Sequence, residues 1–207
     1  MPLVDLSLSI VETTVPGDVR AFLREANRRI ERFQDKGSVP GFVPSDFERA
    51  YRVLHLLASA DLAAGRLFCE WGSGLGVISC LAALLEFDAC GIEIEAELVD
   101  AAQQLADDFG LPVNFVQGSF IPKGEEAYFN AGHGFAWLTT DAGRAHEELG
   151  LQLDELDVVY AYPWPDEERA TSDLFERNTR SGTLLVTYHG GEDFRLRRRT
   201  EKRWSCR

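Results

Sequence analysis

The sequence predicts an α/β fold, a mostly parallel sheet with helices on both faces, preceded by N-terminal helices. Two patterns and one motif carry that expectation. From residue 66 onward, short apolar runs alternate with helical stretches, which is how parallel strands joined by crossover helices read. Before that point the apolar residues recur at helical spacing. A glycine-rich turn, Gly72-Ser73-Gly74-Leu75-Gly76, joins the first apolar run to the helix after it.

Each element follows in order. Residues 17–34 place Val19, Phe22, Leu23, Ala26, Ile30 and Phe33 on one helical face, with Arg and Glu opposite. The turn-rich stretch 36–44 ends that helix. Ser45-Asp46-Phe47-Glu48 reads as a capping box with Ser45 as the cap, opening a helix that runs to about residue 64 and stops at Gly65. Strand 66–70 and helix 75–86 flank the glycine turn. Strand 89–94 and helix 96–109 come next, the helix ended by Gly110-Leu111-Pro112. Further strands are expected at 113–117, 156–160, 183–188 and 194–199, and a further helix at 165–178. The stretch 119–150 is irregular, with a weak helix near 141–149 and the rest a loop or lid. Only about 19 residues follow the strand at 183–188, so the C-terminal strand region is short. One structural domain is expected overall: residues 1–64 form an N-terminal helical segment packing on the core, and 65–207 the sheet domain.

Composition narrows the class. Hydrophobic residues make up 45% and charged residues 27% of the 207, the balance of a globular protein, which excludes a disordered polymer or a fibrous repeat. No apolar run approaches the ~20 residues of a membrane-spanning helix. The N-terminus has no basic n-region and no long apolar h-region, so a cytoplasmic protein without membrane partners is expected. The net charge of −13 is unevenly placed. Residues 195–207 hold seven basic side chains against the single acid Glu201, leaving −19 on the first 194 residues. An acidic body repels a phosphate backbone, which argues against nucleic acid as a partner. The basic tail reads as an edge strand kept soluble by its arginines, with contact to an acidic partner as the alternative. Of the four cysteines, Cys69, Cys80 and Cys90 lie in apolar stretches where a thiol simply packs, and with Cys206 they form no CxxC pair.

The glycine turn carries the chemistry. Its spacing is GxGxG, with Val77 where the third glycine of a dinucleotide fingerprint would fall. Glu70 ends the strand just before it; a carboxylate there repels a pyrophosphate but suits an α-ammonium group. Glu93 lies 19 residues after Gly74, at the end of the next strand, where an acid accepts from both hydroxyls of a ribose. Glu95 reads as the start of the following helix. An ammonium-binding acid, a ribose acid and no phosphate-binding feature point to S-adenosyl-L-methionine.

On these residues the sequence resembles the class I, Rossmann-like S-adenosylmethionine-dependent methyltransferases over about residues 42–190. The resemblance implies a three-layer α/β/α sandwich and a methyltransferase activity. It also implies a cofactor site built from Glu70, Gly72, Ser73, Gly74 and Gly76 at the methionine end and Glu93 with Ile94 at the ribose. Gly118, Ser119 and Phe120 look like the adenine edge, although an aspartate is common where Ser119 stands. The order V-P-S-D-F, ExGxGxG, G-I-E, G-S-F is also similar to the non-SET, disruptor-of-silencing type of lysine methyltransferase and its bacterial relatives. That likeness implies a segment closing over the cofactor, bringing Ser45 and Pro44 to it; an N-cap is the other role open to Ser45.

The acceptor side is expected after the strand at 156–160. Amine-modifying members of the superfamily often carry an Asn/Asp-Pro-Pro-aromatic segment there. This chain has Tyr162-Pro163-Trp164-Pro165 and lacks the amide or acid at its head. The backbone of Tyr162 or Pro163 accepts from an amine, and Trp164 walls the acceptor and offers a π face to a cation. Glu167, with Asp166 and Glu168, is the candidate for taking up a proton. The acceptor is then a small molecule or a protein side chain, with nitrogen preferred. Among the four histidines, His55, His133 and His146 read as structural or exposed, His189 alone stands at the active end of a strand, and their scatter resembles no metal site. A non-catalytic cofactor-binding module and a nicotinamide oxidoreductase are the rival readings.

Overall fold

In the computed structural model the described residues are 3–7, 14–35, 37, 42–126, 129, 138 and 145–201. Their seven strands are β1 (Leu3–Leu6), β2 (Leu67–Trp71), β3 (Asp88–Glu93), β4 (Asn114–Gln117), β5 (Val158–Ala161), β6 (Leu184–Tyr188) and β7 (Phe194–Arg199). They form one sheet in the order β1-β7-β6-β5-β2-β3-β4. Neighbours from β6 to β4 pair in parallel, while β7 runs antiparallel to both β6 and β1. β2, β5 and β6 are buried and mostly apolar on both faces because helices cover both.

Side chains alternate along each strand and so feed two apolar layers. One layer holds Phe68, Val158, Tyr160, Leu184 and Val186 of the sheet, packed under α1 (Gly17–Asp35), α2 (Phe47–Ser59), α3 (Val77–Leu84) and α4 (Ala96–Asp108). The other holds Cys69, Trp71, Cys90, Ile92, Val159 and Leu185, packed under α5 (Ala145–Leu149) and α6 (Glu168–Asn178). The predicted helix near 141–149 is therefore present from Ala145; residues 141–144 lie outside the described ones. None of the helices described is long and apolar enough to cross a membrane.

Four expectations are corrected. The cap of α2 is Asp46, whose side chain accepts from the Arg49 amide at 3.0 Å; Ser45 instead pairs its hydroxyl with that of Tyr160 at 2.9 Å. α2 ends at Ser59, five residues early. Asp61 takes a left-handed φ of 50°, and the Leu62 amide returns to the Leu57 carbonyl, a Schellman closure made with aspartate where glycine was the cue. α3 closes the same way through Glu86, at φ 63°, with the Phe87 amide on the Ala82 carbonyl. Finally, the arginine-bearing strand β7 is not an edge. β1 covers it, with Leu3 opposite Arg199 and Leu6 opposite Leu196. Four residues without flanking turn cues carry too little pattern to announce β1.

Candidate functional site

The sheet order reverses between β2 and β5. Successive strands leave that point in opposite directions, so the loops at their carboxyl ends part and open a crevice. A cleft of about 390 Å³ lies there. Its walls are the loops after β2, β3, β4, β5 and β6, and Phe42–Ser45 with Phe47 close it from the α2 side.

The glycine turn is shaped by its neighbours. Gly72, Gly74 and Gly76 take φ values of 72°, 53° and 69°, the left-handed region that favours glycine. The amides of Gly72 and Ser73 donate to the Ile92 carbonyl at 2.9 and 3.0 Å, anchoring the turn to β3. Glu93 completes the anchor. Its Oε2 accepts from the Gly74 amide at 2.8 Å, and its Oε1 from the amides of Ile94 at 2.7 Å and Glu95 at 3.1 Å. Three of a carboxylate's roughly four acceptor positions are thus taken by backbone. At Gly74 a side chain would strike the Phe42 ring, 2.6 Å from an added Cβ, so the closing segment rests directly on the turn.

Glu70 is buried beneath the turn. Its Oε2 accepts from the Ser79 amide at 2.9 Å and the Ser79 hydroxyl at 2.7 Å, in the first turn of α3, where amides lack helical partners. Burial pushes its carboxyl up to about 8 from the ordinary 4.5; the Ser79 bonds oppose that and the nearby Glu93 charge adds to it. Two buried polar atoms in the cleft wall have no partner among the described residues: Trp71 Nε1 and Ser73 Oγ. Trp71 lies flat on Phe120, centroids 5.1 Å apart and planes at 1°. The Phe120 carbonyl is held by His146 Nε2 at 2.8 Å, so His146 supports the wall. Ser119 Oγ accepts from the Ile121 amide at 3.1 Å, turning the chain after β4.

On the β5 side, the Tyr162 ring packs at 4.6 Å on Tyr188, which packs at 4.6 Å on Phe194. Trp164 is 38% exposed at the mouth. Glu167 is only 3% exposed; its amide donates to the Trp164 carbonyl and its carbonyl accepts from Thr171, tying the proline turn to α6. Glu168 lines the mouth, paired with His189 Nδ1 at 2.8 Å and Arg195 at 3.2 Å. The cleft's acidic side chains among the described residues are five glutamates, 70, 93, 95, 167 and 168, and no lysine or arginine stands among them.

No protein-family model matches the sequence, and no curated protein matches it either. Solved structures do. A methyltransferase from Geobacter sulfurreducens superposes with a TM-score of 0.54 at 16% identity, over 91% of this chain and 93% of that one. An RNA methyltransferase from Salinibacter ruber, in complex with S-adenosyl-L-homocysteine, gives 0.52 at 22%, over 76% and 93%. An O-methyltransferase from Bacillus cereus, also in complex with S-adenosyl-L-homocysteine, gives 0.52 at 14%, over 86% and 68%. The chain has the class I methyltransferase fold.

In this methyltransferase fold the two ends of the chain close the sheet together, β7 returning antiparallel and β1 running alongside it. Of the residues singled out from sequence, Ser45, Glu70, Gly72, Ser73, Gly74, Glu93, Ile94, Gly118, Ser119, Phe120, Tyr162, Pro163, Trp164 and Glu167 all line the one cleft. Gly76 does not. It is packed inward, where an added Cβ would lie 2.3 Å from the Phe115 ring and 2.9 Å from Ala102, so its role is close helix–strand contact. Sequence reasoning missed Trp71, Phe42, Phe47 and Tyr160. Strand alternation marks Tyr160 and Trp71 as core, and nothing local tells a core aromatic from a cleft wall. His55 is half-buried in α2 against Tyr51; His133 and Cys206 lie outside the described residues. Cys69, Cys80 and Cys90 are buried free thiols, and no metal-holding cluster of His, Cys, Asp or Glu occurs among the described residues.

Proposed function

We propose that the protein is an S-adenosylmethionine-dependent methyltransferase acting on a nitrogen of a small molecule or a protein side chain. The observation that carries this reading is the acidic lining of the cleft at the switch point of the sheet: five glutamates, of which Glu70 is held protonated by burial until a cation arrives, and no lysine or arginine among the described lining residues. Such a site repels the phosphates of a dinucleotide or a nucleic acid and attracts a ligand bearing ammonium and sulfonium charge. The residues fit S-adenosylmethionine. Glu70 would receive its α-ammonium, the remaining acceptor position of Glu93 a ribose hydroxyl, and the chain at Gly118–Phe120 the adenine. The unpaired Trp71 Nε1 and Ser73 Oγ are donors awaiting an acceptor on the bound molecule.

When bound, the cofactor supplies an electrophilic methyl carbon on a sulfonium. The protein's part is alignment, worth about 7–11 kcal/mol when nucleophile and electrophile are held in line. The Phe42–Ser45 segment, latched through Ser45 to Tyr160, excludes water from one side, and the rigid Tyr162–Pro165 turn walls the other. The attacking nitrogen must be neutral. As the N–C bond formed, the C–S bond would break with its electron pair staying on the departing thioether sulfur, and the nitrogen, now cationic, would shed one proton to a carboxylate or to solvent.

Calorimetric titration with S-adenosylmethionine and with NAD tests the reading. S-adenosylmethionine is expected to bind and NAD to fail. Free Glu70, with its carboxyl near 8, is mostly protonated at pH 7. An ammonium favours the carboxylate, so binding at pH 7 releases a proton and affinity rises with pH until about 8. Buffers of different ionisation heat read that proton directly, and Glu70→Gln should abolish the release. NAD binding as tightly as S-adenosylmethionine would overturn the proposal.

A second reading is a non-catalytic cofactor-binding module, favoured by the absence of an amide or acid at Tyr162. Turnover decides. If Trp164 walls the acceptor, Trp164→Ala should leave cofactor affinity within about twofold while methyl transfer into acceptors of a cell extract falls at least roughly tenfold, since lost alignment acts on the transition state. A variant with a lowered melting temperature and a fully active folded fraction would show Trp164 to be structural.

A further inference from the structure

Glu167 and Glu168 stand side by side at the start of α6, and the structure separates them. Glu167 is buried to 3% and its backbone joins the proline turn to the helix. Glu168 keeps 33% of its side chain exposed at the cleft mouth, beside the Tyr162–Pro165 turn. Its carboxylate is held from behind on both oxygens, Oε1 by His189 Nδ1 at 2.8 Å and Oε2 by Arg195 at 3.2 Å. A carboxylate only accepts, so Nδ1 carries the proton, and Nε2 is paired with the Thr187 hydroxyl at 2.8 Å. His189 is only 5% exposed on its side chain and lies at the edge of the cleft lining, with both ring nitrogens engaged; it positions Glu168. About two acceptor positions of the Glu168 carboxylate stay unused and open to the mouth. Arg195 does not cancel its charge, because the same guanidinium is shared with Asp193 at 2.9 Å, leaving the trio at −1.

We infer that Glu168 is the residue that selects a cationic acceptor, an amine carrying an apolar or aromatic body. The ammonium meets the two open acceptor positions and gives up one proton to the Glu168 carboxylate or to solvent before the neutral nitrogen attacks, while the body lies against Tyr162, Pro163 and Trp164. An ionised carboxylate fixed by two donors has lost its own freedom before the ligand arrives, so little ordering cost remains. The inference rests on the methyltransferase reading for which side of the cleft takes the acceptor, but the charge selection is testable without turnover.

The test is binding of three probes to the full chain, both unloaded and saturated with S-adenosylhomocysteine: 2-phenylethylamine, 2-phenylethanol and phenylacetate. The amine should bind at least about tenfold more tightly than the alcohol, and phenylacetate should not bind, as charge-assisted pairing demands. Glu168→Gln should erase the preference for the amine while leaving S-adenosylhomocysteine affinity within about twofold. Arg195→Gln should act in the opposite direction and tighten the amine, because the partly neutralising guanidinium is gone. A merely structural Glu168 predicts no such opposite signs. Equal binding of amine and alcohol, no binding of either, or an unchanged amine affinity in Glu168→Gln overturns the inference. Failure of S-adenosylhomocysteine to bind would instead overturn the methyltransferase reading, with the amine preference of the unloaded protein still reporting on Glu168.

Discussion

Gly76→Val is expected to destabilise the protein by about 3–5 kcal/mol, combining a left-handed backbone that a branched residue resists with overpacking of a filled space. The added side chain would collide with the Phe115 ring and Ala102, both buried, so neither can yield cheaply. For a chain of this size that loss lowers the melting temperature by about 6–20 °C. Gly110→Ala is the matched control. Gly110 has a similar φ of 62°, and an added Cβ there meets nothing within 4 Å. It should lose only about 1 kcal/mol, the cost of the backbone conformation alone. Thermal melting of both variants separates packing from conformation, and equal losses would refute the packing role of Gly76.

Glu93→Ala is expected to weaken S-adenosylmethionine by at least roughly a hundredfold, about 3 kcal/mol, because it removes two things at once. One is the acceptor for a ribose hydroxyl. The other is the anchor of the glycine turn, since the amides of Gly74, Ile94 and Glu95 all donate to this carboxylate. The Gly74 amide is buried, and leaving it unpaired costs about 1–3 kcal/mol of stability as well. Melting temperature and affinity should therefore fall together, and Glu93→Gln, which keeps one carbonyl acceptor, should fall between. Calorimetry with wild-type affinity in a folded Glu93→Ala protein would remove Glu93 from the cofactor site.

Much of this architecture is written locally. The alternation of apolar runs and helical stretches from residue 66 announces the parallel sheet, because a strand buried on both faces and a crossover helix have different periods. Glu70, the glycine turn and Glu93 were legible because backbone approach and charge at strand ends demand particular residue types. The ends of α2 and α3 were not. Asp61 and Glu86 adopt a conformation usually left to glycine, held there by backbone closure that no residue type advertises.

The sequence by itself determined the class of fold, the place of the glycine turn and the acids around it. Those depend on contacts between residues close in the chain or on the hydrophobic period. Tertiary structure alone decided which residues share the cleft, because that requires pairing segments far apart. Ser45 meets Tyr160 across 115 positions, and Arg49 meets Glu192 across 143. It alone showed that Gly76 packs inward while Gly74 faces the cleft, a difference set by which neighbour stands where a Cβ would be. It alone distinguished Glu167 from Glu168, adjacent and chemically alike, since burial and hydrogen-bond partners are properties of the fold around a side chain. And it alone joined β1 to β7, an antiparallel pair whose register depends on both ends of the chain arriving at the same edge of the sheet.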